Sequence, residues 1–248
     1  MSEINKHNIT PQENEKEIIQ SYWQSRAKDF AALRLQELHC EKYDQWKTEI
    51  LAQLPKAKEM KILDVGCGAG FFSIILSQCG MRMTGIDLTP EMIEEAKALA
   101  AAEKVDASFL VMDAEKLEFE ANSFDAVIAR NVTWNLPHPQ KAYEEWVRVL
   151  KPGGVLINSD AEYAKHHHDP LPKINAHSAV TEKQNEHCHL IYHMLEVSAY
   201  DRPAWDLEIL KALGTECTVD MEVNDRIYPK QDWFYSPAPI FMIKAIEK

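Results

Sequence analysis

The strongest constraint on the fold is the alternation of short apolar strands with helices between residues 61 and 160. Residues 61–65 (KILDV) form the first predicted strand, and after a glycine-rich turn residues 71–78 (FFSIILSQ) read as an apolar helix. Parallel strands need connections that cross the sheet, and helices are the usual crossover. The pattern therefore predicts an α/β fold around a parallel sheet with right-handed crossovers.

Further strands follow along the chain, each separated from the next by a turn or a helix. Thr89 and Pro90 begin one of these helices, since Thr can cap a helix and Pro suits its first position. Near the C-terminus two more strands are predicted, joined by an aromatic loop at 232–235. The predicted strands after the first are 81–87, 107–112, 124–129, 155–159, 217–228 and 240–246.

The segments on either side of this alternation have a different character. Residues 13–54 have a helical pattern that Pro55 ends, and residues 161–180 are polar, rich in His and Pro, and read as a loop. Residues 182–213 are predicted as one or two helices, interrupted near Arg202 and Pro203. Both flanking segments are therefore expected to be additions to a central α/β unit.

Charge and composition limit the partners of the chain. Its 248 residues have a formal net charge of −12 and no Lys/Arg-rich run, which disfavours nucleic acid, because phosphate binding depends on cationic side chains. The five cysteines show no C-x-x-C spacing, so a reducing compartment is expected. The polar N-terminus and the lack of an apolar run of roughly 20 residues predict a cytoplasmic protein without a membrane partner.

The turn after the first strand, Asp64-Val-Gly-Cys-Gly-Ala-Gly70, indicates a bound nucleoside. Its glycines allow a sharp bend and close approach of a ligand. A pyrophosphate-binding turn usually has the spacing G-x-G-x-x-G, whereas this one is G-x-G-x-G behind an acidic residue. Asp64 would repel a pyrophosphate and attract a cation. Asp87, at the end of the second strand, suits the hydroxyls of a ribose.

These residues resemble the motifs of the class I S-adenosylmethionine (SAM)-dependent methyltransferases, in particular small-molecule enzymes of the methyltransferase type 11 kind. Residues 62–70 (ILDVGCGAG) resemble the first motif, and 85–88 (GIDL) followed by 89–93 (TPEMI) the second. The later motifs match in order and spacing at 113–117 (DAEKL), 124–128 (FDAVI) and 149–154 (VLKPGG).

The resemblance implies a Rossmann-like sheet of seven strands, mostly parallel with one antiparallel strand. It also implies roles for individual residues. Gly66 and Gly68 would pass under the methionine part of SAM, Asp87 would hold the ribose, and Leu88 would contact the adenine.

The resemblance also implies a division of the chain into four parts. These are an N-terminal helical lid at 1–57, a SAM-binding core at 58–160, a substrate cap inserted between strands 5 and 6 at 161–213, and the final strands at 214–248.

On the same basis Asp113 would bond the adenine amino group and Ala114 would contribute its backbone N–H. Arg130 would make backbone contacts near the methionine moiety. Cys67, inside the glycine turn, is interpreted as packing rather than as a nucleophile. The predicted cofactor-binding residues are Tyr22, Arg26, Asp64, Gly66, Cys67, Gly68, Gly70, Asp87, Leu88, Asp113, Ala114 and Arg130.

The N-terminal helix resembles one that closes over the cofactor in many small-molecule members of the family. Tyr22, Arg26 and Phe30 are four residues apart and share one helix face. In one interpretation Tyr22 and Arg26 bind the carboxylate of SAM. The other makes Tyr22 and Phe30 plain core and Arg26 one half of a surface ion pair, and the sequence leaves both open.

The acceptor is expected beyond the fourth strand, where ligands of parallel sheets bind. Asn131 and Trp134 are the predicted substrate-binding residues, with core packing as the alternative for Trp134. The catalytic residue is left open, with His189, His193 and Tyr22 as candidates. His189 and His193 have a metal-compatible spacing, but solvated or packed histidines are the favoured interpretation, and no metal is predicted.

The predicted function is transfer of a methyl group from SAM to an O, N, S or C atom of a small molecule by in-line SN2 displacement, releasing S-adenosylhomocysteine (SAH). Because the methyl group is already activated, the enzyme mainly aligns the acceptor and excludes water. The alternatives are a non-catalytic SAM-binding partner protein, a protein methyltransferase and a nicotinamide-dependent oxidoreductase. The acceptor stays unidentified, and the oligomeric state is open, with a homodimer among the options.

Overall fold

The computed structural model describes residues 11–57, 59–169, 175, 179–228, 233–234 and 237–248, with side chains from Glu15 onward. A sheet of seven strands forms its centre, in the order β3-β2-β1-β4-β5-β7-β6. The strands are β1 (Lys61–Val65), β2 (Arg82–Asp87), β3 (Ala107–Val111), β4 (Phe124–Arg130), β5 (Leu150–Asp160), β6 (Glu216–Asp220) and β7 (Phe241–Ile246).

The sheet confirms the predicted topology. Strands β1 to β5 pair in parallel, whereas β7 runs antiparallel to both β5 and β6. Strand β1 and the helix after it have the bounds predicted from the sequence. The helices are α1 (Pro11–Leu38), α2 (Glu41–Gln53), α3 (Phe71–Gln78), α4 (Pro90–Ala102), α5 (Pro139–Val149), α6 (Tyr163–His166), α7 (Glu182–Met194), α8 (Ala204–Ala212) and α9 (Val223–Ile227), with short 3-10 turns at Thr133–Asn135 and Glu196–Ala199.

Helices cover the sheet on both faces, so the central strands are apolar on both sides. On one face Ile62 packs in a cluster with residues of α2, α3 and α4. On the other face Leu63, its neighbour in the strand, packs in a cluster with Trp146 of α5 and Leu210 of α8. Alternate residues of one strand thereby anchor two layers of helices.

Three expected elements differ from the structure. The segment 161–180, expected to be a loop, contains the short helix α6 (Tyr163–His166). The helical pattern at 13–54 is two helices, because the chain reverses at His39 and Cys40 and brings Trp46 of α2 back to Glu37 of α1. The strand expected over 217–228 ends at Asp220, whose side-chain oxygen accepts from the Glu222 N–H at 2.9 Å and turns the chain. Helix α9 follows there.

Of the aromatic loop expected at 232–235, only Trp233 and Phe234 belong to the described residues. Residues 1–10, at the polar N-terminus, lie outside them as well. Within the described residues, no helix combines the length and the apolar character that crossing a membrane would require.

Candidate cofactor and acceptor site

One cavity of about 350 Å³ lies at the carboxyl ends of the parallel strands. Helix α1 lies along it, and α6 and α7 contribute to its wall. Ligands of parallel α/β sheets bind at this edge. Of the predicted site residues, Gly70 and His193 do not line the cavity; those that do are Tyr22, Arg26, Asp64, Gly66, Cys67, Gly68, Asp87, Leu88, Asp113, Ala114, Arg130, Asn131, Trp134 and His189.

The glycine turn forms the floor of the cavity. Gly66 and Gly68 have φ angles of +60° and +51°, a left-handed conformation that favours glycine. A Cβ atom on Gly66 would lie 2.5 Å from Val132, and one on Gly68 would lie 3.0 Å from the Phe30 ring of α1. A side chain at either of these two glycines would therefore crowd its neighbours, and α1 lies directly over the turn.

Two carboxylates stand beside this turn at the ends of β1 and β2. Asp64 Oδ2 accepts from the Ser73 N–H at 3.0 Å and from the Ser73 hydroxyl at 2.7 Å. Asp87 accepts from the Gly68 N–H at 3.0 Å and from the Thr89 N–H at 2.9 Å. Burial raises the pKa of Asp64 to about 7, because a low-dielectric environment disfavours the charged form.

A third carboxylate, Asp113, follows β3. Its Oδ2 lies 2.6 Å from Lys16 Nζ of α1, and the same ammonium lies 2.6 Å from Glu115. One turn further along α1, Gln20 donates to the Leu88 carbonyl at 3.0 Å. Helix α1 is thus fastened at the β2–β3 end of the cavity by contacts that the sequence did not indicate.

The middle of α1 carries Tyr22 and Arg26, both buried. Arg26 is 5% exposed and donates to the Tyr22 hydroxyl at 3.1 Å. It has no carboxylate partner within the described part of the chain, and its Nε atom lacks a hydrogen-bond partner. The surface ion pair considered for Arg26 is therefore wrong. Burial raises the pKa of Tyr22 above its ordinary range, so its phenol is protonated at neutral pH.

The far end of α1 brings arginines to the carboxyl end of β4. Glu37, fully buried, accepts from Arg130 Nη2 at 2.7 Å and Nη1 at 3.1 Å, and its Oε2 lies 2.7 Å from Arg34 Nη1. The Arg130 guanidinium also lies 4.3 Å from the Trp46 ring centre and donates to the Tyr228 hydroxyl at 3.1 Å. The sequence predicted a backbone contact of Arg130 with the methionine part of SAM. In the structure the Arg130 side chain also joins α1 to the sheet through Glu37.

On the acceptor side, the residues after β4 combine packing with exposure to the cavity. Asn131 has a φ angle of +58°, unusual for a residue other than glycine, and its buried Oδ1 has no hydrogen-bond partner among the residues that the structure describes. Trp134 donates from Nε1 to the Asn131 carbonyl at 2.9 Å. Its ring packs against Trp23, Tyr163 and Tyr192. Trp134 thus packs in a core cluster and also lines the cavity.

The histidines of the cap gather between α6 and α7. The ring centres of His167 and His189 are 4.8 Å apart, and those of His167 and His193 are 5.9 Å apart. Burial, followed by the neighbouring histidines, lowers the pKa of His189. Across the described ranges, no group of three or more His, Cys, Asp or Glu side chains has an arrangement that could hold a metal ion.

Comparison with known proteins places this geometry in a family. A family model described as a methyltransferase domain matches residues 63–158, the segment from β1 to β5 that carries the glycine turn and the acidic strand ends. Residues 63–158 of this chain are thus a methyltransferase domain of the class I SAM-dependent kind. The family uses SAM as its cofactor. The cavity is lined by the carboxylates of Asp64, Asp87 and Asp113, which suit a positively charged nucleoside.

Individual relatives agree with this assignment over part of their length. A ubiquinone biosynthesis O-methyltransferase from Xanthomonas oryzae pv. oryzae is 36% identical over 100 residues, which cover 40% of this chain and 42% of that protein. A 2-methyl-6-phytyl-1,4-hydroquinone methyltransferase from Synechocystis sp. is 36% identical over 135 residues, 54% of this chain and 40% of that protein. The match thus spans less than half of either relative.

The solved structure of a SAM-dependent methyltransferase from Aquifex aeolicus shares the fold. It has a TM-score of 0.56 and 21% identity, and the alignment covers 82% of this chain and 89% of that one.

Several residues of this methyltransferase cavity were missed in the sequence. Arg34 continues the four-residue spacing of Tyr22, Arg26 and Phe30, so the same helix-face argument would have found it. No sequence signal pointed to Lys16. Tyr163, Tyr192 and Tyr228 come from separate elements whose convergence depends on the tertiary fold.

Proposed function

We propose that this chain transfers a methyl group from SAM to an O, N, S or C atom of a small-molecule acceptor by in-line displacement, releasing SAH. The observation that carries the proposal is the row of three carboxylates, Asp64, Asp87 and Asp113, beside a turn in which Gly66 and Gly68 are closely packed against Val132 and Phe30. SAM has a sulfonium and an ammonium, and a carboxylate row stabilises such cations.

The proposed binding mode assigns one part of SAM to each strand end. Asp113 at β3 takes the adenine amino group, with Leu88 against the ring and the Ala114 N–H at its edge. Asp87 at β2 takes the ribose hydroxyls. Asp64 takes the ammonium, directly or through water. These residues lie along the cavity in the sheet order β3, β2, β1, which fits one extended nucleoside.

The methionine end of SAM lies over Gly66 and Gly68 in this proposal. Tyr22 and Arg26 bind its carboxylate from the lid. Arg26 supports this role because it is a buried cation without a carboxylate partner among the described residues, and burying an unpaired charge is costly. A ligand carboxylate would form the missing charge-assisted pair.

The acceptor lies at the β4 side, between Asn131, Trp134 and α7. SAM supplies an activated methyl group, so the chain's own residues need only align the acceptor and keep water out. The Asn131 Oδ1 atom, buried and without a partner, can accept from an acceptor hydroxyl or amine. No general base is assigned, because one is required only for an acceptor that arrives protonated.

A small-molecule acceptor is favoured by the size and cover of the cavity. Its volume of about 350 Å³ lies in the lower range of small-molecule sites. Residues of α1 and α7 contact each other above it, with Gln184 donating to the Ser25 carbonyl at 3.0 Å. We therefore propose that residues 1–57 contain a lid and residues 161–213 a cap. The two relatives, one named for ubiquinone biosynthesis and the other for a hydroquinone, support the same substrate class.

The experiment uses methyl-labelled SAM with a small-molecule extract and, separately, with the protein fraction of the same extract. Transfer of label by the wild-type chain to the small-molecule fraction is expected. The Asp87→Asn variant should lose most of this transfer. The matched control, Asp125→Asn, changes a carboxylate at the opposite end of β4, where it pairs with Lys151, and should retain it.

Each other outcome selects a different function. Label in the protein fraction alone would indicate a protein methyltransferase. SAM binding without any label transfer would indicate a non-catalytic partner protein. Binding of a nicotinamide dinucleotide without binding of SAM would contradict the proposal and favour an oxidoreductase.

A further inference from the structure

The charges that line the cavity change sign along the sheet. We call Asp64, Asp87 and Asp113, at the ends of β1, β2 and β3, the acidic half. We call Arg34 and Arg130, beside the end of β4, the basic half, with Glu37 as their shared partner. A cationic nucleoside over the acidic half leaves the basic half to face the acceptor side of the cavity.

Positive charge exceeds negative charge in the basic half. Its two guanidiniums share one carboxylate, since Glu37 Oε2 lies 2.7 Å from Arg34 and Glu37 Oε1 lies 2.7 Å from Arg130. Asp169, the other carboxylate on the wall outside the acidic half in the described ranges, pairs with His166 at 2.7 Å. Within the described part of the chain, one buried cation therefore has no full counter-charge.

Arg34 is the less satisfied of the two arginines. Arg130 donates to both oxygens of Glu37, which is the bidentate geometry that arginine favours. Arg34 contacts one oxygen of Glu37, from Nη1 at 2.7 Å. The buried Nε atoms of both arginines lack a hydrogen-bond partner among the described residues, so the two arginines differ in their contact with Glu37. Burial and the neighbouring Arg130 lower the pKa of Arg34, as expected where a cation is incompletely compensated.

The position of Arg34 separates it from the nucleoside end. It lies 18 residues after Lys16, about 27 Å along α1 at the rise of an α-helix. Lys16 contacts Asp113, Phe30 lies over Gly68, and Arg34 is one helical turn beyond Phe30. Arg34 therefore lies past the glycine turn, at the end where Tyr163 and Tyr228 close the cavity.

We propose that the acceptor carries an anionic group of the carboxylate type and that Arg34 binds it. This inference rests on the proposed function, since it assumes that the nucleoside occupies the acidic half. An anion at this end would supply the missing counter-charge and pair with a guanidinium already held in place by Glu37 and by the Phe30 ring, 4.7 Å from it. Arg34 is a specificity-determining residue in this account.

The test is calorimetry on the full chain, first with SAH alone and then with matched acceptor probes in the presence of saturating SAH. The probes are three pairs that differ in charge: benzoate and benzamide, phenylacetate and phenylacetamide, hexanoate and hexanamide. We expect the carboxylate of at least one pair to bind about tenfold more tightly than its amide. Arg34→Gln should abolish this preference, and Arg34→Lys, which retains the charge, should restore part of it.

The matched control is Arg82→Gln, which removes an exposed arginine paired with Glu59 away from the cavity and should leave the preference unchanged. Melting curves of each variant report whether it folds. SAH binding without a carboxylate preference in any pair would overturn this inference and leave the proposed function standing. A parallel loss of SAH affinity in Arg34→Gln would also overturn it, since Arg34 would then belong to the nucleoside. Failure of the wild type to bind SAH would instead contradict the proposed function.

Discussion

The acidic half and the basic half of the cavity are built in different ways. In the acidic half each carboxylate accepts from the backbone N–H of a residue that follows it closely in the sequence: Ser73 for Asp64, Thr89 for Asp87 and Glu115 for Asp113. In the basic half the charges come from elements far apart in sequence, with Arg130 and Glu37 separated by 93 residues. Local sequence therefore specifies the acidic half, whereas the basic half exists only after α1 has docked on the sheet.

The largest expected effect is on the basic half, through Glu37→Gln. The change leaves two buried arginines without their carboxylate, and removing one partner of a buried ion pair destabilises a protein by about 3–5 kcal/mol. Urea unfolding measures the loss. Glu49→Gln is the control, because its partner Arg226 is partly exposed and the pair should be worth no more than about 1 kcal/mol. Equal losses in the two variants would contradict the contrast between the halves.

The same contrast explains how much of the molecule the sequence could predict. Strand β1, helix α3 and the carboxylates of the acidic half follow from apolar runs, glycine positions and motif order within one short segment. The break between α1 and α2 and the end of β6 could not be predicted in this way. The break depends on Trp46 returning to Glu37, a contact that forms only in the folded chain. The end of β6 has a local cause that the strand pattern did not reveal, because Asp220 accepts from the N–H two residues further on and turns the chain.

The second prediction concerns pH and the acidic half. The pKa of Asp64 is about 7, raised by burial above its ordinary value, so the ionised form that attracts an ammonium increases from about 9% at pH 6 to about 91% at pH 8. SAM affinity should therefore rise about tenfold over this range, with proton uptake or release visible in buffers of different ionisation enthalpy. Asp64→Asn should flatten the profile, and a wild-type affinity independent of pH would refute this role.

The raised pKa also has a consequence for stability. A carboxyl group that is harder to ionise when folded binds more protons in the folded state than in the unfolded state between about pH 4 and pH 7. The contribution of Asp64 to the free energy of unfolding is thus fully present below pH 4 and is lost as the pH rises through 7. Asp64→Asn should reduce this fall, measured by urea unfolding at a series of pH values.

A smaller effect on stability is expected where Lys16 of α1 contacts Asp113 and Glu115. Lys16→Ala removes the contacts to Asp113, which is partly exposed, and to Glu115, which is buried. Because the Lys16 side chain is itself 31% exposed and Glu115 still accepts from the His138 N–H, the free energy of unfolding should fall by only about 1 kcal/mol. The difference should shrink at high salt, because exposed ion pairs are screened. A loss that does not respond to salt would show that Lys16 acts through packing. Lys97→Ala, at an exposed pair within α4, is the control.

The smallest effect is expected for the histidines of the cap. His193 is exposed and does not line the cavity, so His193→Ala should leave SAM affinity within twofold of the wild type, roughly the scatter of a surface substitution. Metal analysis of untagged protein accompanies this measurement. A stoichiometric transition metal that is bound by the wild type and lost in the variant would contradict the interpretation of these histidines as packed or solvated groups.

The central claim is that the acidic half receives the positively charged nucleoside. Calorimetric titration of SAM and SAH into the purified chain tests it most directly, with Asp87→Asn and Asp125→Asn beside the wild type. The account predicts saturable binding of one nucleoside per chain, lost or strongly weakened in Asp87→Asn and retained in Asp125→Asn. Wild-type protein that binds neither nucleoside, or an Asp87→Asn variant that binds both as the wild type does, would contradict it.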